Sequence, residues 1–459
     1  MINSSRSGKT TARNMTVGPI FRQLTLFALP LMLGNIFQML YNTVDSVIVG
    51  NFVSKQALAA IGSTTMIVNM MVFFFNGFSI GASVIIGQFF GARELEKLHK
   101  AIETTMAGTF LLSIFFSVFG ILLVKPLLHF MSTPDDVFSD AVLYLRIYIG
   151  GISGLLIYNM GSGILRAVGD STRPLYFLIL TSILNIVLDL FFILVLKAGI
   201  AGAAIATIIS QFFSGVLILV LLTRSKDIYR LRWRELHLDF PILKKIFSVG
   251  MPAAIQSVIT AFSNMFVQSY INFFGSDCMA GWGCYNKLDQ FIMLPMQSMA
   301  MAATTFVSQN IGAGNESRAD KGTRVALLLS CGVTGVISAL LLVFAPPAVR
   351  LFSPDAEVIR YGVLFIRTNV AFLLFACISH VLAGALRGRG DSRGPMIIML
   401  LNFVVLRQIY LFLVTRFVAN TPRIVGFGYP VGWFFCCVTE LIYYFYQRRK
   451  ALPAADRIA

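Results

Sequence analysis

The sequence predicts an all-α polytopic membrane protein with twelve transmembrane helices in two six-helix bundles. Three observations predict it: an excess of apolar residues, twelve long apolar runs and an internal duplication. Of the 459 residues, 57% are hydrophobic and 13% are charged, and the mean hydropathy is +0.78. An ordinary soluble domain is about 25% charged and cannot hide so many apolar side chains. The composition therefore excludes a soluble enzyme, a disordered chain and a disulfide scaffold.

Each apolar run has about the 20 residues that a helix needs to cross a bilayer, or more. Helices are favoured because a membrane strand needs only about ten alternating residues, and because a helix satisfies its own backbone in lipid. The predicted spans, numbered 1 to 12 in chain order, are 23–52, 58–85, 99–124, 138–166, 172–196, 199–222, 242–273, 278–309, 321–344, 356–386, 394–417 and 425–448.

The basic side chains fall mainly on one side of these spans. If the N-terminus is cytoplasmic, the cytoplasmic loops hold 26 of the 37 Lys and Arg residues, and the opposite loops hold six. This asymmetry follows the positive-inside rule and accounts for the net charge of +16 without a nucleic-acid partner. We expect a multi-pass protein of the cell (plasma) membrane with cytoplasmic N- and C-termini.

The sequence repeats itself at a distance of about 221 residues. LRxxGDS at 165–171 returns at 386–392, and QxxGA at 88–92 returns at 309–313. Each motif has the same place relative to its spans, so the halves are parallel repeats of six spans with a cleft between them, a design that suits alternating access. The predicted domains are an N-terminal bundle over 1–222, a cytoplasmic linker loop over 223–241 and a C-terminal bundle over 242–459.

Two carboxylates lie at one depth inside the spans. Asp45 in span 1 and Asp189 in span 5 are each about seven residues, or roughly 10 Å, below the predicted outer surface. An ionisable group at bilayer depth costs roughly 3 kcal/mol and is functional by default. The alternative is a pair of helix-packing aspartates that are hydrogen-bonded to amides.

Polar residues surround both acids at helical spacing. Asn42 and Tyr41 precede Asp45 by three and four residues, Asn185 precedes Asp189 by four, and Thr207 in span 6 has a similar depth. Residues three or four apart share one helix face. These oxygen ligands could surround one H⁺, or one Na⁺ bound as a metal ion by the two aspartates.

The second half lacks these acids. The duplication maps Asp45 onto Val267 and Asp189 onto Tyr410, whereas Asn42 maps onto Asn264. If carboxylates at this depth couple an ion, the coupling lies in the N-terminal bundle alone.

Other residues in the spans suggest a place for the substrate. Asp289 in span 8 either faces the cleft and attracts a cationic substrate or forms an internal salt bridge. Met293 and Phe73 either line an adaptable apolar cavity or are packing residues. Arg407 and Glu440 lie at comparable depth in spans 11 and 12 and form a candidate ion pair.

The spans contain neither a nucleotide-binding P-loop nor a set of residues typical of a hydrolase. We therefore expect that an ion gradient supplies the energy for transport, and we expect no cofactor and no enzyme activity. Span 1 with Asn42 and Asp45, QxxGA, the duplicated LRxxGDS, Asn185-x-x-x-Asp189 and GIAGAAIAT at 199–207 together resemble the multidrug and toxic compound extrusion (MATE) transporters, in particular their bacterial DinF/MepA-like branch. The resemblance covers essentially the whole chain.

The resemblance implies a V-shaped twelve-helix fold that exports lipophilic, often cationic drugs in exchange for H⁺ or Na⁺. It implies an ion site on Asp45, Asn185 and Asp189 with Tyr41 and Thr207 beside them, and a span-4 amide for which Asn159 is the nearest candidate. The NorM-like branch has acids in spans 7 and 10, where this chain offers Gln256 and no carboxylate.

The expected partners are small drug-like organic cations and the lipid bilayer, and we expect a monomer. An alternative function is a flippase for a lipid-linked precursor. Its phosphate-bearing substrate would call for a more cationic cleft than these spans offer. A third alternative is a receptor or scaffold that transports nothing.

Overall fold

The computed structural model describes residues 12–451, and the regular elements within that range are helical. Eleven helices are long and apolar enough to cross a membrane, and a bent helix pair supplies a twelfth span. The predicted all-α polytopic fold is therefore confirmed. The spans are Ile20–Phe52 (span 1), Lys55–Gly91 (2), Leu95–Phe130 (3), Asp135–Gly150 with Ser153–Ala167 (4), Thr172–Leu190 with the π-helical turn Phe191–Val195 (5), Gly199–Arg224 (6), Phe240–Asn272 (7), Ser276–Gly312 (8), Glu316–Val343 (9), Ala356–Asn369 with the 3₁₀ turn Val370–Phe372 and Leu373–Gly388 (10), Arg393–Leu400 with the π-helical segment Leu401–Leu406 and Arg407–Phe417 (11), and Pro422–Gly426 with Gly428–Ala451 (12).

Several spans begin at a side chain that caps the helix. The Ser54 hydroxyl accepts from the Ala57 N–H at 3.0 Å, and Asp355 accepts from the N–H groups of Glu357 and Val358 at 2.8 and 3.1 Å. The first N–H groups of a helix have no partner within the helix, so a short oxygen-bearing side chain stabilises this position. At spans 2 and 10 a polar residue ahead of the apolar run therefore helps to fix where the helix starts.

Span 4 is broken where the sequence suggested one continuous run. Its two helices meet at an angle of 47° next to Gly150 and Gly151. A glycine pair weakens a helix, and close packing against span 6 stabilises the bend. A Cβ atom on Gly154 would lie 2.6 Å from the Phe212 Cα, so the second helix of span 4 packs backbone to backbone.

The LRxxGDS motifs form the same turn in both halves. Gly169 and Gly390 have φ angles of +84° and +91°, a region that glycine adopts without strain. Asp170 then accepts from the N–H of Arg173 at 3.1 Å, and Asp391 accepts from that of Gly394 at 3.0 Å. Burial raises the pKa of Asp170 above its ordinary value, although these backbone bonds act against the shift. The motif is a structural turn and helix cap.

The described chain divides into two compact units. The N-unit consists of residues 29–251 with the described segment before residue 18, and the C-unit consists of 18–28 and 252–451. The segment before span 7 belongs to the N-unit, and its Asp239 N–H donates to the Thr104 hydroxyl of span 3 at 3.1 Å. The boundaries at 222 and 242 stay a prediction.

Span 2 and the first turns of span 7 pack closely against each other at Gly81 and Gly250. A substitution at Gly81 tests this packing. A Cβ atom on Gly81 would lie 2.6 Å from the Gly250 nitrogen, a backbone atom that cannot turn aside. We expect Gly81→Ala to lower stability by about 1–3 kcal/mol, the usual effect of overpacking. The measurement is thermal unfolding of the purified protein in detergent.

Gly62 provides the matched control in the same span, because a Cβ atom there would meet nothing within 4 Å. Gly62→Ala should leave the unfolding temperature unchanged or raise it, since alanine favours the helix. Equal unfolding temperatures for the two variants would contradict the close approach at Gly81.

Candidate functional site

The N-unit brings its two intramembrane aspartates together. Asp189 is fully buried near the end of the span 5 helix, and Asp45 is half-buried in span 1. Their carboxyl groups lie close enough to interact with each other. Both Asp189 oxygens and one Asp45 oxygen have no donor among the described residues. Two ionised carboxylates repel each other, so this geometry favours one shared proton or one bound cation.

Three tyrosines, here called the tyrosine wall, lie beside the acids: Tyr41 and Tyr144 interact with both aspartates, and Tyr148 stacks on Tyr144. Tyr41 of span 1 lies beside both aspartates, and Tyr144 and Tyr148 come from the first helix of span 4. The rings of Tyr144 and Tyr148 stack with 6.2 Å between their centroids, and both residues are buried. The Gln211 amide donates to the Tyr148 hydroxyl at 3.3 Å and so holds the wall in place.

Sequence reasoning found Tyr41 but missed Tyr144 and Tyr148. The sequence offered one indication: Tyr144 and Tyr148 are four residues apart, which puts both phenol rings on one helix face. Tyrosine is also an ordinary packing and interface residue, so spacing alone did not mark the pair as functional.

Asn185 supplies an amide one turn before Asp189. It is buried, and neither its oxygen nor its nitrogen has a partner in the described part of the chain. A buried amide without a partner costs free energy, and its oxygen suits a hard cation. The π-helical turn Phe191–Val195 begins two residues beyond Asp189, and such turns recur at functional sites.

The other predicted ion-site residues have more ordinary surroundings. Thr207 is buried and donates to the Ala203 carbonyl at 3.0 Å, so its oxygen can still accept. Asn159 donates to the Leu155 carbonyl at 2.9 Å within its own helix. Asn42 lies one turn before Asp45 with an exposed side chain. The roles of these three residues stay predictions.

The predicted substrate residues are distributed over both units. In the C-unit, the buried Tyr285 hydroxyl donates to Asp289 at 3.4 Å, and the Gln256 amide lies 2.6 Å from the Met399 sulfur. Met293 packs on the C-unit core. Phe73, in the N-unit, is 38% exposed. Among residues 12–451, no group of three or more His, Cys, Asp or Glu side chains could hold a metal ion.

Comparison with known proteins agrees with the duplication. The MatE family model matches the chain twice, over residues 30–191 and 252–413, and the first match contains both aspartates. The chain belongs to the MATE family of transporters. The two matched segments confirm that the halves are repeats, and the apolar helices make this MATE protein a multi-pass membrane protein.

Relatives and solved structures cover nearly the whole MATE chain. It is 31% identical to the probable multidrug resistance protein YpnP of Bacillus subtilis, over 96% of this chain and 98% of the relative. It is 21% identical to the multidrug export protein MepA of Staphylococcus haemolyticus, over 84% and 85%. An outward-facing multidrug resistance MATE transporter of the MOP superfamily shares its fold, with a TM-score of 0.89, 23% identity and coverage of 96% and 98%.

One predicted contact in this MATE protein is wrong. Arg407 does not pair with Glu440. Its guanidinium donates to the Ser263 hydroxyl at 2.7 Å and to the Asn264 amide oxygen at 2.9 Å. Glu440 is fully buried, and neither carboxylate oxygen has a partner among the described residues. The two residues share a depth, but Arg407 faces span 7.

Proposed function

We propose that this chain is a secondary-active exporter of lipophilic, cationic, drug-like compounds, driven by H⁺ or Na⁺. The facing pair of Asp45 and Asp189 carries this proposal. In a low-dielectric interior the repulsion between two carboxylates is strong, so binding one H⁺ or Na⁺ stabilises the pair. The names of YpnP and MepA, as a multidrug resistance protein and a multidrug export protein, support drugs as the substrate class.

The ion acts by changing which conformation is favoured. A ligand shifts a conformational equilibrium only through its different affinities for the two states. Binding at Asp45 and Asp189 removes their repulsion, and it favours the arrangement in which spans 1 and 5 hold the acids together. Alternating access then exposes the ion site and the substrate site to one side at a time, so that ion entry accompanies substrate release.

We also propose that Asp289, Gln256, Met293 and Phe73 contribute to substrate binding. Asp289 is the acidic member, and a lone hydroxyl donor at 3.4 Å leaves its charge weakly compensated. An organic cation would supply the missing charge. Met293 and Phe73 offer adaptable apolar surface for a lipophilic body, and Gln256 has a buried amide oxygen without a donor in the described chain.

The proposed setting is the plasma membrane, with both termini in the cytoplasm and a monomer as the working form. The distribution of Lys and Arg between the loops supports this orientation. We propose that the protein needs no cofactor and does not bind nucleic acid.

The deciding experiment uses the purified protein in proteoliposomes loaded with a fluorescent lipophilic cation. A pH gradient and a Na⁺ gradient are imposed separately, and we expect one of them to drive transport against the substrate gradient. Exchange of one monovalent ion for one monovalent cation moves no net charge. A tenfold ion gradient should therefore sustain a substrate gradient of at most about tenfold.

The control is the same vesicle without protein, which corrects for passive leakage of a lipophilic cation. Transport that follows neither gradient would remove secondary-active exchange as the function.

A further inference from the structure

The place in the C-unit that duplicates the ion site already contains a cation. Spans 7 and 11 repeat spans 1 and 5, and they retain Asn264 as the counterpart of Asn42. Asp45 and Asp189 are replaced there by Val267 and Tyr410. Arg407 lies one turn before Tyr410 in span 11, directly after the π-helical segment Leu401–Leu406.

The surroundings of Arg407 resemble a cation site. Its side chain is 3% exposed, and one guanidinium nitrogen donates to Ser263 at 2.7 Å and Asn264 at 2.9 Å. Its central carbon lies 4.6 Å from the centre of the Tyr429 ring. Oxygen acceptors from one helix and an aromatic face from another are the groups that bind a planar cation.

The same tyrosine also lies near an acidic residue, Asp289. Asp289 is close enough to Tyr429 to interact with it electrostatically, as Arg407 does. The two charged residues therefore share one tyrosine without forming a direct salt bridge. Arg407 therefore depends on its hydrogen bonds to Ser263 and Asn264 and on the Tyr429 ring, because a buried charge without partners is strongly destabilising.

We propose that Arg407 is a tethered cation that permanently occupies, in the C-unit, the place that a free coupling ion takes in the N-unit. This proposal rests on the proposed ion-coupled function. Because the guanidinium cannot leave, spans 7 and 11 are held together whether or not the ion is present. Ion binding and release then act on spans 1 and 5 alone, and Arg407 is a positioning residue for the C-unit.

The test is chemical rescue of Arg407→Ala by methylguanidinium, read as the thermal unfolding temperature in detergent. Removing the side chain takes the guanidinium away from Ser263, Asn264 and Tyr429, so the unfolding temperature should fall. Millimolar methylguanidinium should restore most of this loss, and should shift the wild type by less than about 1 °C. Arg360→Ala is the control, because that arginine pairs with Glu357 at an exposed site, and it should show no rescue.

Equal responses of Arg407→Ala and the wild type would overturn the proposal. If Arg407→Ala does not fold, hydrogen exchange of the wild type provides a second measurement. The coupling ion should increase protection in spans 1 and 5 and leave spans 7 and 11 unchanged, and ion-dependent protection of spans 7 and 11 would overturn the proposal. Because rescue does not measure transport, it remains informative even if no gradient drives efflux.

Discussion

Asp45→Asn and Asp189→Asn are each expected to abolish gradient-driven efflux. Asparagine has nearly the same shape as aspartate, but it cannot take up a proton and offers no negative charge to Na⁺. A hydrogen bond to a charged group contributes about 1.5–3 kcal/mol, so losing one charged ligand should weaken ion binding by about tenfold to a hundredfold. The measurement is the initial rate of cation efflux from vesicles under the gradient that drives the wild type.

The matched control is Asp136→Asn. Asp136 lies in the first turn of span 4 with an exposed side chain, so this variant removes one carboxylate from the same unit without touching the pair. It should transport at the wild-type rate. Substrate binding to the detergent-purified Asp45→Asn protein should also persist, because the lost group binds the ion. Undiminished efflux in both aspartate variants would remove the pair from the mechanism.

The aspartate pair could be predicted because charge is rare inside these spans. The helix rise per residue converts a position in a span into a depth below the membrane surface. Asp45 and Asp189 have the same predicted depth, and this indicated a shared site. Depth does not determine the direction in which a side chain points around the helix axis. Arg407 shows the consequence, since it shares its depth with Glu440 but donates to Ser263 and Asn264 on another helix.

Span 4 is broken just beyond the tyrosine wall, and the apolar run did not reveal this break. Hydropathy reports that residues are apolar and says little about whether a helix is straight. The break in span 4 follows from Gly150 and Gly151 and from close packing on span 6. Tyr144 and Tyr148 belong to the helix before that break, and the proximity of Tyr144 to the acids comes from tertiary packing between spans.

Asp320 connects three helical segments of the C-unit on the predicted cytoplasmic side. One carboxylate oxygen accepts from Arg389 at 2.5 Å and from the Tyr444 hydroxyl at 3.0 Å, and the other forms an ion pair with Arg448 at 2.7 Å. The Asp320 side chain is 13% exposed. Nothing in the sequence pattern linked Asp320 to these partners, because Asp320, Arg389 and the Tyr444–Arg448 helix turn lie far apart in the chain.

Asp320→Ala is therefore expected to destabilise the protein by about 3 kcal/mol. Removing one member of a buried charge network leaves its partners uncompensated and costs about 3–5 kcal/mol; the partial exposure of Arg448 argues for the lower end. Glu357→Ala is the matched control in the same unit, because its ion pair with Arg360 is more than half exposed and should contribute about 0–1 kcal/mol.

Both variants are measured by thermal unfolding in detergent at low and high salt. Since solvent screens exposed pairs far more than buried ones, salt should remove the small Glu357 effect and leave most of the Asp320 effect. Equal stability of the two variants would mean that the Asp320 network does not hold the C-unit together.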